Sequence, residues 1–125
     1  MVNARKMIEE CMRVEINGLC IKPLIKSIEL LSKKWALMLF LIFPLKNEPL
    51  RYKEIYQRIN MIKDETISDT TLSLRLKDFV HEGILKKTAY PEIPPKVEYC
   101  LTKKGIRLKE SIEPLISWAI QECHA

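Results

Sequence analysis

The sequence predicts one mainly helical α+β domain, in which several helices are followed by a β-hairpin and a last helix. Apolar residues recur at helical spacing up to residue 82, two strand-like segments flank a proline-rich loop, and an apolar stripe returns after residue 102. With 125 residues, 47% of them hydrophobic, the chain can bury one core. This length excludes most large catalytic architectures, and only 3 glycines leave no room for a glycine-rich phosphate loop.

The first third of the chain predicts three helices. Residues 3–16 carry one apolar stripe. Pro23 suits the first turn of a second helix, whose apolar positions follow the i, i+4, i+7 spacing. The nine-residue apolar run from Trp35 to Phe43 predicts a buried helix that ends at Pro44. This run is far shorter than the roughly 18 residues that a membrane span needs.

Two further helices are predicted between residues 52 and 82. The segment 52–60 has apolar side chains at helical spacing, and its outer positions are basic. Ser68 offers an N-cap for the next helix, with Ile67 and Leu72 placed as a hydrophobic staple. Gly83 stands where a left-handed C-terminal cap is expected. The boundaries of this second helix are therefore well marked.

A hairpin and a last helix complete the chain. Residues 84–90 and 96–101 predict two strands, and the Pro-Glu-Ile-Pro-Pro loop between them is too long and proline-rich for a tight turn. Thr102 can cap the last helix, which contains Pro114. Two helices followed by a hairpin with a projecting loop are the order of a winged helix-turn-helix, in which the second helix enters the major groove of DNA.

The helix after Ser68 has an outer face suited to DNA. On a helical wheel its apolar stripe leaves Thr70, Leu74 and Lys77 on the opposite side. Short hydroxyl side chains that can meet base edges or phosphates are those of Ser68, Thr70, Thr71 and Ser73. Arg75, at the flank, can bridge phosphates or reach guanine. Asp69 either accepts a hydrogen bond from cytosine or caps the helix, and the whole face could also be a merely solvated surface.

Charge is distributed unevenly along the chain, whose formal net charge is +5. Residues 51–109 carry 13 basic and 8 acidic side chains, whereas residues 110–125 carry 3 acidic and no basic ones. The basic centre suits phosphate contacts and counterion release. The acidic, apolar C-terminal helix is better suited to a protein surface.

The cysteines predict no metal or cofactor site. Cys11, Cys20, Cys100 and Cys123 form no C-x-x-C pair, so neither a zinc site nor a thioredoxin motif is encoded. The first residues lack a secretory apolar segment, which predicts a cytoplasmic protein with reduced thiols. A thiol switch remains a second interpretation of these residues.

Over residues 22–119 the sequence resembles the HxlR family of winged-helix transcriptional regulators. The matching segments are Leu30-Leu31-Ser32-Lys33-Lys34-Trp35, Arg51-Tyr52-Lys53-Glu54-Ile55, Ile67-Ser68, Leu72-Ser73-Leu74-Arg75-Leu76, Glu82-Gly83-Ile84-Leu85 and Tyr90-Pro91-Glu92-Ile93-Pro94-Pro95-Lys96-Val97-Glu98-Tyr99. The ten-residue wing segment is the most specific of them.

The resemblance implies a homodimer on a roughly palindromic operator in double-stranded DNA. Residues 1–20 would form an N-terminal dimerisation arm, 51–82 the helix-turn-helix, 84–101 the wing and 102–123 a C-terminal dimerisation helix. By position, DNA contacts would come from Arg51 at a strand-helix corner, from the recognition helix at Ser68, Thr70, Thr71, Ser73 and Arg75, and from the wing at Lys96. Lys77 joins this set from the helical wheel.

Three features depart from the family pattern. Lys22 precedes Pro23 where members commonly have a cysteine, several of which sense oxidants, so Cys20, two residues earlier, becomes the candidate redox residue. The loop from residue 60 to 66 is longer than usual. Asp69, Thr70 and Leu74 replace frequent Pro, Lys and Gln, so the operator should differ as well.

Two other functions compete with DNA binding. A winged-helix module could instead dock a partner protein, which the apolar Leu74 favours and the surrounding lysines oppose. An enzyme is the weakest alternative, because the only histidines, His81 and His124, cannot be joined with a nucleophile and an orienting group. The operator, the regulated genes, the sign of regulation and any effector are not encoded in a readable form.

Overall fold

A computed structural model describes residues 15–16, 19–46, 48–62 and 65–123, and side chains from residue 20 onward. Its first elements are two short strands, Glu15–Ile16 (β1) and Leu19–Cys20 (β2), which pair antiparallel. The helix predicted over residues 3–16 is therefore wrong at its last two positions. The rest of that prediction lies outside the described residues.

Two helices follow, Lys22–Ser32 (α1) and Ala36–Leu41 (α2). Pro23 lies in the first turn of α1, as predicted. The α2 helix is shorter than the predicted one, because Trp35 has a positive φ of 72° and serves as the N-cap. The apolar run is still buried, since Leu39, Phe40 and Phe43 are each 0% exposed.

The helix-turn-helix pair consists of Tyr52–Ile62 (α3) and Asp69–His81 (α4), and both predictions are confirmed. The predicted staple holds, because Ile67 and Leu72 are almost fully buried. Gly83 has a φ of +74°, and its N–H donates to the carbonyl of Val80. This is the expected left-handed end of α4.

The hairpin strands are Leu85–Tyr90 (β4) and Lys96–Leu101 (β5), close to their predicted bounds. A third strand, Leu50–Arg51 (β3), pairs with β5 and gives an antiparallel sheet in the order β3-β5-β4. The predicted two-stranded hairpin is thus part of a three-stranded sheet. A strand of two residues is too short to produce a readable alternation.

The last helix, Lys103–Cys123 (α5), begins against the hairpin. Thr102 caps it by accepting from the N–H of Gly105 at 3.0 Å, and its hydroxyl also lies within 3.2 Å of the Ile84 carbonyl oxygen. A Cβ on Gly105 would fall 2.3 Å from that same oxygen, so the contact requires glycine. The Lys109 ammonium donates to the carbonyls of Leu41 and Phe43 at the end of α2, and burial lowers the pKa of Lys109.

One core joins these elements. It contains apolar residues of α2, α3, α4 and the sheet, among them the stacked rings of Phe40 and Phe79, whose centroids are 5.9 Å apart. Within the described ranges, no helix combines the length and apolar character needed to cross a bilayer.

Candidate nucleic-acid interface

The N-terminus of α4 is fixed by two sets of hydrogen bonds. Ser68 Oγ accepts from the backbone N–H of Thr71 at 3.1 Å, and the Ser68 hydroxyl donates to Thr71 Oγ1 at 3.0 Å. Tyr52, at the start of α3, donates its hydroxyl to Asp69 Oδ1 at 2.7 Å. Burial, followed by the Asp69 hydrogen bond, raises the pKa of Tyr52, while a Ser73 hydrogen bond opposes the rise. The first set caps α4, and the Tyr52–Asp69 bond links the start of α3 to the start of α4.

This arrangement separates the hydroxyl residues predicted to touch DNA. Ser68 and Thr71 are engaged in the cap, and Asp69 links α4 to α3 through Tyr52. Ser68, not Asp69, is the N-cap residue. On the outer face of α4, the Thr70 hydroxyl has no partner among the described residues, and the Ser73 hydroxyl lies within hydrogen-bonding reach of Tyr52.

The outer face of α4 presents four exposed side chains, Thr70, Ser73, Leu74 and Lys77, which we call the reading face. Leu74 is 50% exposed although it is apolar. The side chains of Thr70 and Lys77 make no hydrogen bond or ion pair with any other residue in the described ranges. The face is therefore free to contact a partner, and its leucine can meet the methyl group of a thymine.

A groove of about 620 Å³ separates the reading face from the hairpin. Its far wall includes Lys87 of β4 and Tyr99 of β5, which are opposite each other in the strand register and so share one face of the sheet. Burial raises the pKa of Tyr99. Neither residue is among the predicted contacts. The pairing of Tyr99 with Lys87 follows from the strand register, which the sequence alone does not give.

Arg75 lies on a different side of α4 from the reading face. Its Nε donates to the carbonyl oxygen of Lys34 at 2.8 Å, and one terminal nitrogen is 3.3 Å from Asp78 Oδ2. Lys33 reaches the same carboxylate oxygen at 3.3 Å. Only 20% of the Arg75 side chain is exposed. The guanidinium thus holds α4 to the turn between α1 and α2, and the DNA contact of Arg75 stays a prediction.

The two other predicted cations border the wing. Arg51 is exposed at the corner between β3 and α3, where its backbone N–H donates to Glu54 Oε1 at 3.2 Å. Lys96 pairs with Glu98 at 3.0 Å, and its ammonium lies 5.0 Å from the centre of the Tyr90 ring. Both residues line a second hollow of about 330 Å³ together with Pro94. To make the DNA contact predicted for it in the wing, the Lys96 ammonium must exchange its contacts with Glu98 and Tyr90.

The terminal helices expose apolar side chains away from the core. We call this set the terminal-helix surface; its members are more than half exposed, and they are Leu24 and Ile28 of α1 and Leu115, Trp118 and Ile120 of α5. Such large apolar side chains at helical spacing indicate surfaces that bind another protein.

The cysteines differ in state. Cys20 is disulfide-bonded, whereas Cys100 and Cys123 are free thiols. The expectation that every thiol is reduced is therefore wrong for Cys20. Among the described residues, no group of three or more histidine, cysteine or acidic side chains could hold a metal ion.

Comparisons with known proteins place this arrangement among DNA-binding regulators. Residues 30–125 match the model of the HxlR-like helix-turn-helix family. The HTH-type transcriptional regulator BH0655 of Halalkalibacterium halodurans is 34% identical over 95 residues, covering 76% of this chain and 79% of that protein. The HTH-type transcriptional regulator YodB of Bacillus subtilis is 34% identical over 107 residues, covering 86% of this chain and 88% of that protein.

Solved structures agree with the sequence relatives. The reduced form of YodB superposes with a TM-score of 0.67 at 33% identity, covering 82% of this chain and 93% of that one. The diamide-treated form of YodB gives a TM-score of 0.64 at 33% identity, covering 80% and 92%. The similarity thus extends to almost the whole length of the solved chains.

Proposed function

Because the chain belongs to the HxlR-like helix-turn-helix family and is a sequence-specific DNA-binding transcriptional regulator, we propose that it binds a pseudo-palindromic operator as a homodimer. In this proposal, α4 enters the major groove and the wing lies on the backbone or in the minor groove. The observation that supports this most is the reading face, which is exposed beside a hairpin and includes Lys77, a lysine with no ion-pair partner among the described residues. The protein acts in the cytoplasm.

The proposed contacts divide into two classes. Thr70, Ser73, Leu74 and Lys77 contact base edges and nearby phosphates, because they are the outward side chains of α4. Arg51 and Lys96 contact the backbone beside the wing. Ser68 and Thr71 form the cap at the N-terminus of α4, the end of a helix where phosphates bind well.

A homodimer is proposed from the terminal-helix surface. Apolar side chains on α1 and α5 remain exposed in one copy, and a second copy of the chain is the partner that explains them at both helices. The alternative function, a protein-docking module, would use the reading face instead. Its apolar Leu74 supports that alternative, and its cations oppose it.

The test is selection of bound duplexes from a random 25-base-pair library, followed by fluorescence anisotropy at about 50 and 200 mM salt. Enrichment of one palindromic motif, with affinity that falls steeply as salt increases, is the expected result. If no motif is enriched, or if binding does not depend on salt, the proposal is wrong. Lys77→Ala should weaken this binding. The matched control is Lys26→Ala, which removes the same charge from an exposed lysine of α1.

We further propose that Cys20 makes DNA binding redox-dependent. The supporting observation is that Cys20 is exposed at the residue level and disulfide-bonded, while the related YodB has been solved in reduced and diamide-treated forms. Diamide should change the DNA affinity of the wild-type protein and of the control variant Cys123→Ser. It should leave the DNA affinity of Cys20→Ser unchanged. An equal response of wild type and Cys20→Ser would reject this role.

A further inference from the structure

The Tyr99 hydroxyl has no hydrogen-bond partner among the described residues. The residue is only 8% exposed, but its oxygen is not sealed from water, because no buried polar side-chain atom of the described residues lacks a partner. Tyr99 lines the groove between the reading face and the hairpin, so its hydroxyl is available to a ligand there. An acceptor in that groove would take the place of water at this hydroxyl.

The cations around this hydroxyl are also unpaired. Lys87 stands opposite Tyr99 on the neighbouring strand, and Lys77 lies across the groove on α4. Neither has an ion-pair partner among the described residues. By contrast, three other lysines near this side, Lys33, Lys34 and Lys96, each pair with a carboxylate. The groove therefore combines an unused hydrogen-bond donor with two uncompensated positive charges, which suits an anionic oxygen.

The position of the groove identifies the anion. The protein groove lies between α4, which would occupy the major groove of DNA, and the wing, which would reach the next DNA groove. The DNA strand between those two DNA grooves must then cross the protein groove. Its phosphates are spaced at 3.4 Å of helix axis per strand, so one of them faces the groove floor in any sequence.

We propose that this groove seats a backbone phosphodiester of bound DNA, which accepts a hydrogen bond from the Tyr99 hydroxyl between Lys77 and Lys87. The inference rests on the proposed mode of DNA binding. It makes Tyr99 and Lys87 DNA contacts that position α4 without reading bases. Their contribution should therefore be the same for every duplex sequence.

The central variant is Tyr99→Phe, with Tyr56→Phe as the control, because Tyr56 is a half-buried tyrosine that does not line the groove. Tyr99→Phe should bind selected and unselected duplexes about tenfold more weakly, the effect of one hydrogen bond to a charged group. Its melting temperature should be unchanged or higher, since no internal hydrogen bond is lost. An unchanged affinity, or a lower melting temperature that accompanies the weaker binding, would overturn the proposal.

A second pair of variants tests the charge. Lys87→Met and Lys86→Met remove the same charge from neighbouring positions whose side chains lie on opposite faces of β4. Only Lys87→Met should flatten the log–log dependence of affinity on salt, by about one unit. Equal effects of the two variants would mean that the groove plays no special part.

The DNA itself provides the last test. Each phosphate of the DNA backbone is replaced in turn by a neutral methylphosphonate. At one position the replacement should weaken binding by the wild-type protein but should not weaken binding by Tyr99→Phe any further. Sodium benzoate serves as a small-anion probe; if it displaces DNA from wild type but not from Tyr99→Phe, the groove is a small-molecule site and the proposal is wrong. Failure of wild type to bind any duplex would instead reject the proposed function, and it is detected before any variant is compared.

Discussion

The α4–hairpin region and the terminal-helix surface leave opposite kinds of groups without partners. Beside α4, the groups without a partner among the described residues are polar or cationic, namely Thr70, Lys77, Lys87 and the Tyr99 hydroxyl. On α1 and α5, large apolar side chains are exposed among polar ones, and Leu115 and Trp118 are each 58% exposed. An unpaired cation is satisfied by a polyanion, and an exposed aromatic ring by another apolar surface. The difference teaches that one small domain carries two surfaces of different chemistry, one suited to a polyanion and one to another apolar surface.

The largest effect is expected where the two regions depend on each other. Trp118→Asp places a charge in the proposed dimer surface, so the protein should become monomeric by light scattering. Affinity for a palindromic duplex should then fall about a hundredfold, because the second half-site no longer adds its contribution. Met61→Asp is the control, since Met61 is 85% exposed at the end of α3, outside the terminal-helix surface. If Trp118→Asp remained dimeric, α5 would not be part of the dimer interface.

A second pair of variants sharpens the contrast within α4. Arg75→Ala leaves the Lys34 carbonyl without its donor and should lower the free energy of unfolding by about 1–3 kcal/mol in urea titrations. Lys77→Ala should leave stability within about 0.5 kcal/mol and weaken DNA binding about tenfold. If Arg75→Ala were as stable as wild type and changed base preference, Arg75 would be a reading residue after all.

The salt dependence of binding gives a smaller but more specific signal. Lys77→Ala should reduce the log–log slope by about one unit, because one phosphate contact is lost. Lys26→Ala removes the same charge from α1 and should leave the slope unchanged. Equal slopes for the two variants would mean that the basic character of the whole molecule, and not the α4–hairpin region, attracts DNA.

The smallest effect concerns the joint between the two helices. Tyr52→Phe removes the 2.7 Å hydrogen bond to Asp69, which is partly solvent-exposed, so it should cost about 1 kcal/mol or less of unfolding free energy. Because the pKa of Tyr52 is raised in the folded state, wild-type stability should decline as the pH rises above about 10 and the unfolded state ionises first. Tyr52→Phe should show a weaker decline over the same range in urea titrations.

The fold was predictable wherever a local signal is strong. The Ser68 cap, the Ile67–Leu72 staple and the positive φ of Gly83 each depend on neighbours in sequence, and all three are confirmed. Strand β3 was missed because its two residues are defined only by pairing with β5. The β1–β2 pair is likewise a matter of pairing and not of periodicity.

The site was predictable in outline but not in detail. A helical wheel finds the outward residues Thr70, Leu74 and Lys77, since helix geometry alone decides them. It cannot reveal that Arg75 reaches the Lys34 carbonyl, because that contact joins residues 41 positions apart in the chain. Lys87 and Tyr99 required the strand register in the same way. Which cations remain unpaired is therefore a property of the tertiary structure.

The long helix α5 has a mechanical consequence. It begins at the hairpin, where Thr102 and Gly105 hold it, and its 21 residues correspond to a rod of about 31 Å that ends among exposed apolar side chains. A tilt of about 5° at one end of such a rod displaces the other end by about 3 Å. In the proposed homodimer, small adjustments in how two copies meet at Trp118 would therefore be amplified into changes in the spacing of the two reading faces. The α5 helix would thus couple the geometry of the proposed homodimer to the spacing of the DNA half-sites.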